Sequence, residues 1–117
     1  MKCYSNDIYP TNLVLSYDAE SVNEHYTHID GSDVYIKPTS EAVVTPMTRR
    51  TKDYYAMAVG IIFNVPITPK LAAHEGFHAA WFIMSQLSIP LTEYSDEGWA
   101  YLIGWIAECI DNFKNYH

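Results

Sequence analysis

The sequence predicts an α+β fold, a small antiparallel sheet of three or four strands in the N-terminal half packed against two long C-terminal helices. Three observations carry that expectation. Short runs rich in Val, Ile and Tyr, punctuated by Pro, Asn, Asp and Gly, occupy residues 12–65. Two helix-start signals follow, at Thr68-Pro69 and Ser95-Asp96-Glu97. No proline interrupts the stretch after either signal until Pro90 ends the first.

Taken in order, Asn12 to Tyr17 reads as a short strand, and Asp18 to Gly31 as a polar stretch without a period, closed by an Asp30-Gly31 turn. Asp33 to Lys37 alternates in and out until Pro38, which predicts a second strand. Ala42 to Thr45 is a third, ended by Pro46, and Thr48 to Asp53 reads as a loop. Tyr54 to Val65 is long enough for helix or strand. At period two, Tyr55, Met57, Val59, Ile61, Phe63 and Val65 form one large face. Ala56, Ala58 and Gly60 make the other face mostly small, and Pro66 closes the run, so a strand is favoured. Thr68 as N-cap with Pro69 at the first helical position begins a helix over residues 68–88. The second helix spans residues 95–114, with acidic residues in its first turn where the helix dipole favours them. Both helices are apolar around much of their circumference, which predicts that each is sandwiched.

The 117 residues predict a single domain over 1–117, with 1–66 mainly strands and loops. Hydrophobic residues are 49% and charged residues 18%, which excludes a disordered chain. Net charge is −7, and Arg49, Arg50 and Lys52 are the one basic cluster, so nucleic-acid binding is not expected. Two cysteines, Cys3 and Cys109, make no disulfide scaffold and no CxxC pair. No signal peptide is read in Met1 to Asp7, and no run is long enough to cross a bilayer, so a cytoplasmic protein without membrane contact is expected. The oligomeric state is not legible.

The chemistry concentrates in His74-Glu75-Gly76-Phe77-His78. Two histidines four apart on a helix project from one side, one turn from each other, and can reach one Zn²⁺. Glu75, rotated from the ligand direction, can lean over a water at the same metal as general base. The alternative is a polar pair on a solvated helix face. The neighbours Leu71, Ala72, Ala73, Phe77, Ala79, Ala80, Trp81, Phe82 and Ile83 argue against it, because buried polar groups need partners. After His78 the helix runs outward about ten residues, near 15 Å. Residues 89–95 span at most roughly 20 Å, which lets the chain return and bring Glu97 beside the pair as third ligand. Glu97 reads otherwise as a favourable N-terminal charge. Gly98 would relieve crowding between the helices.

HEGFH, eighteen residues and then Glu97, within Asp96-Glu97-Gly98-Trp99-Ala100-Tyr101, resembles the HExxH-x18-E pattern of the gluzincin metallopeptidases. The segment DEGWAY is similar to the surroundings of the third zinc ligand in a family of zinc aminopeptidases. In compactness the chain is closer to small phage-encoded HExxH proteins with an E-x-x-A-Y segment. The resemblance covers residues 68–110 and implies a minimal zincin-like domain, a Zn²⁺ cofactor held by His74, His78 and Glu97, and Glu75 as catalytic base. The implied function is zinc-dependent hydrolysis of a peptide bond in a peptide or protein substrate. The other reading is a zincin-like binding protein that keeps zinc as a structural site and serves a protein partner. No exopeptidase recognition motif accompanies the pattern. Tyr101, four residues after Glu97, either assists the site or is an ordinary half-buried tyrosine. His25 and His28 read as surface residues, His117 as a frayed terminus, and Trp81, Trp99 and Trp105 as core.

Overall fold

A computed structural model describes residues 1–50 and 57–116. Strand β1 (Lys2–Ser5) is followed by β2 (Asn12–Ser16), a short helix α1 (Ala19–Asn23), β3 (Tyr26–His28), β4 (Ala42–Arg49) and β5 (Met57–Phe63). Helices α2 (Pro69–Gln86) and α3 (Asp96–Tyr116) complete the chain. The α+β architecture is as expected, with the sheet in the N-terminal half and two long helices after it. The sheet has five strands in the order β1-β2-β5-β4-β3. It is mixed rather than antiparallel throughout, because β2 and β5 run parallel, Leu13 opposite Val59 and Leu15 opposite Ile61.

Strand β5 lies at the centre because it is buried on both faces. Val59, Ile61 and Phe63 join Leu13 and Leu15 of β2 against α2 and α3, forming the main core. On the reverse face Ala58 and Ile62 pack with Val14, Val22, Tyr26, Val34 and Met47. The large and small faces read at period two are therefore real. The small face is filled by a neighbouring strand: a Cβ on Gly60 would lie 2.6 Å from Met47 Cε. Of the predicted strand, Tyr54, Tyr55 and Ala56 lie outside the described residues, as do Thr51, Lys52 and Asp53 of the predicted loop.

Four expectations change. Strand β4 continues through Pro46 to Arg49, taking in residues read as loop. Proline fits there because β3 pairs only with Met47 to Arg49, so β4 at Pro46 has β5 alone as partner. Residues 33–37 form no strand. The Val34 backbone is satisfied instead by Asn23, whose side-chain amide donates to Val34 O at 2.9 Å and accepts from Val34 N at 2.7 Å. The polar stretch 18–31 contains α1, capped by Asp18 accepting from Ser21 N at 2.7 Å, and β3 before the Gly31 turn. Lys2–Ser5, not read as a strand, pairs antiparallel with β2.

Thr68 caps α2, accepting from Leu71 N at 3.1 Å, with Pro69 in the first turn as predicted. That helix ends in a left-handed residue, Ser88 (φ 57°), where Ile89 N donates to Met84 O at 2.9 Å. Helix α3 packs back on α2. Position 76 faces Ile106 and Ile110, while Trp81 meets Trp99 at 5.9 Å between ring centroids, so the helices run antiparallel. Among the described residues no helix is long and apolar enough to cross a membrane.

Candidate metal centre

Helix α2 buries Leu71, Glu75, Gly76, Ala79, Ala80, Ile83 and Met84. His74, Phe77, His78 and Trp81 are left on its outer side, all exposed. The expectation of sandwiched helices, and with it a buried histidine pair, is thus corrected: the His74 side chain is 64% exposed. The reason is three-dimensional. The sheet and α3 cover only about half of the α2 circumference, so apolar residues on the rest meet solvent.

The two histidines do converge. His74 Nε2 and His78 Nε2 are 3.2 Å apart, with ring planes at 73°. Two nitrogens at about 2.05 Å from one Zn²⁺ and 3.2 Å from each other subtend about 103° at the metal, close to tetrahedral. The pair therefore fits two positions of a zinc ion. The same spacing also suits an imidazole N–H donating to the other ring nitrogen. Glu75 differs from its neighbours in being buried, 9% exposed, with Oε1 3.8 Å from His74 Nε2. Its carboxylate stands beside His74, just beyond direct hydrogen-bond range. A cleft of about 340 Å³ opens here, lined by His74, Glu75, Leu71, Thr68, Lys70 and Glu41.

Glu97 is not brought to the pair. It is exposed in the first turn of α3, and among the described residues no three His, Cys, Asp or Glu side chains could hold one metal ion. The helix register supplies the reason. With Trp81 against Trp99, Glu97 lies level with the last turn of α2, about 7 Å along the axis from His78. The chain does return after α2, as its length allowed, but beyond the histidines along the helix axis.

The remaining parts of DEGWAY have partners of their own. A Cβ on Gly98 would lie 2.8 Å from the Tyr9 hydroxyl, which donates to Gly98 O at 3.3 Å. The close approach that this glycine permits is thus to Tyr9, not to α2. Trp99 is core as expected. Tyr101 is 47% exposed and lies against the Tyr9 ring at 6.4 Å. Trp105 is partly buried against the main core, while Trp81 is half exposed, contrary to its reading as core. His25 is exposed beside Glu24, and His28 Nδ1 lies 2.8 Å from Thr45 Oγ1 on the sheet, both away from α2; His117 lies outside the described residues. Glu41 and Lys70 were not singled out from the sequence, since nothing in their local pattern links them to His74.

A scan against models of known protein families matches none, and no curated protein and no solved structure matches the chain.

Proposed function

We propose that this chain is a zinc-dependent hydrolase of the metallopeptidase type, with His74 and His78 as metal ligands and Glu75 as general base. The observation that carries the reading is the 3.2 Å approach of the two Nε2 atoms, the separation that a tetrahedral zinc requires of two imidazoles. The buried carboxylate of Glu75 beside them supports it further. Zinc, when bound, would supply Lewis acidity toward a scissile carbonyl and toward water. Glu75 would take a proton from the attacking water and deliver it to the leaving amine. Its burial on the packed side of α2 limits its rotamers. The reading does not require Glu97.

A second reading, a zincin-shaped binding protein that holds metal without turnover, is favoured by the separation of Glu97 from the pair. One experiment divides the two. Zinc content and peptide-library cleavage are measured for wild type, Glu75→Gln and the double variant His74→Ala, His78→Ala. The hydrolase reading expects zinc in wild type and Glu75→Gln, none in the double variant, and cleavage in wild type alone. Zinc without cleavage in wild type supports the binding protein. Equal zinc in wild type and the double variant overturns both.

A further inference from the structure

A cavity of about 670 Å³ lies one turn beyond the histidines, between the end of α2, the 88–91 loop and the start of α3. Trp81 and Trp99 form its aromatic wall, their rings 5.9 Å apart and tilted by 56°. Trp81 is 51% exposed, and with Phe77 and Leu91, also exposed, it leaves apolar surface open to water here. Trp99 is 3% exposed, and its Nε1–H has no hydrogen-bond acceptor among the described residues. A buried donor of this kind is costly to leave unpaired, and an acceptor supplied by a ligand or a water would satisfy it. Charge supplies the third element. From residue 71 to residue 113 the chain has six carboxylates and neither a lysine nor an arginine. Three of the six, Glu93, Asp96 and Glu97, are exposed on the segment that runs from the cavity loop into Trp99.

We infer that this groove binds an arginine side chain of an extended peptide, which makes arginine-containing peptides the substrate class of the site. The guanidinium stacks on Trp81, the arrangement in which aromatic faces attract cations most strongly. Glu97 and Asp96 neutralise its charge, and a peptide carbonyl accepts from Trp99 Nε1. The chemistry favours arginine over a plain apolar residue because residues 71–113, which include the whole lining, carry carboxylates and no lysine or arginine. Glu97 thereby has a function that its distance from the histidines permits. The ring succession His78 to Phe77 (6.3 Å), Phe77 to Trp81 (6.4 Å) and Trp81 to Trp99 joins the groove to the histidine pair. At about 3.3 Å per extended residue, the arginine sits two or three residues from the bond to be cleaved. That placement rests on the hydrolase reading; the binding itself does not.

The test measures binding of a labelled octapeptide with one arginine among alanine, serine and glycine, beside its Arg→Gln counterpart. Anisotropy is followed on the full chain of wild type, Glu75→Gln, Trp81→Ala, Trp81→Phe and Glu97→Gln. The arginine peptide should bind wild type and Glu75→Gln at least about tenfold tighter than the glutamine peptide. Trp81→Ala and Glu97→Gln should each remove most of that ratio, and Trp81→Phe should keep part of it. Raising salt from roughly 50 to 500 mM should weaken only the arginine peptide appreciably. Equal binding of the two peptides by wild type overturns the inference, as does a ratio that survives Trp81→Ala in protein of native circular dichroism. Arginine-selective binding without cleavage would sink the hydrolase reading and leave the groove standing. Cleavage indifferent to arginine would do the reverse.

Discussion

Replacing Gly98 by alanine pits two effects of similar size against each other, and the structure decides the sign. Alanine in a helix is favoured over glycine by at most about 1 kcal/mol, and by less in the first turn, where Gly98 lies. Against that gain, the new Cβ would stand 2.8 Å from the Tyr9 hydroxyl, the one close contact beyond its own helix among the described residues. The hydroxyl must move, which breaks its 3.3 Å bond to Gly98 O, a loss of about 0.5–1.5 kcal/mol. Tyr9 cannot retreat freely. Its backbone N donates to Asn6 Oδ1 at 2.9 Å, and its carbonyl accepts from Thr11 N at 2.7 Å. Crowding the ring against Tyr101 and the core adds about 1 kcal/mol, the low end of overpacking. Gly98→Ala should therefore destabilise the protein by about 1 kcal/mol net. In a Tyr9→Phe background the obstructing atom is gone, and the same change should be neutral or stabilising. Urea unfolding of the four proteins in this cycle, read as midpoint shifts at constant slope, gives the coupling directly. Zinc content should be the same in all four. Stabilisation by Gly98→Ala in the wild-type background, or a coupling below about 0.3 kcal/mol, would refute the reasoning.

Two further outcomes follow from the geometry. His78→Ala should lower zinc affinity by well over tenfold while Glu97→Gln changes it less, measured by competition with a chromogenic chelator, because the pair converges at 3.2 Å and Glu97 stands apart. A loss with Glu97→Gln as large as with His78→Ala would restore it as a ligand. Cys109 should resist iodoacetamide at pH 8 while exposed Cys3 reacts, since burial and then the Glu108 carboxylate push the Cys109 thiol up to about 12. The unfolded thiol titrates near 9.0, so its contribution is intact below that value. Between pH 9 and about 12 the unfolded state releases the proton first, and stability should fall by up to about 1.4 kcal/mol per pH unit. Cys109→Ala should lack that part of the slope in urea titrations; an unchanged slope would count against the burial argument.

The helices were legible because their signals are local: Thr68-Pro69 is a cap written in adjacent residues, and α2 begins there. Strand β5 was legible from its period of two, since Val59, Ile61 and Phe63 do share the core-facing side. What escaped were pairings made at a distance. Asn23 takes the backbone of Val34, so an alternating segment never becomes a strand. Pro46 is accepted in β4 because β3 happens to stop short of it. The parallel pairing of β2 with β5 depends on how the intervening strands fold back, which neither strand encodes.

The site divides along the same line. Sequence alone determined that His74 and His78 meet, because a spacing of four on a helix brings two rings together whatever the helix packs against. It also determined that Glu75 stands beside them on another face. Tertiary structure alone decided which of the three is buried, since that depends on where the sheet touches α2. It decided, too, that Glu97 returns level with the last turn of α2, beyond the histidines. A connecting length limits how far a chain can travel, but the level at which it lands is set by packing, and here Gly76 against Ile106 and Trp81 against Trp99 fixed the register of α3.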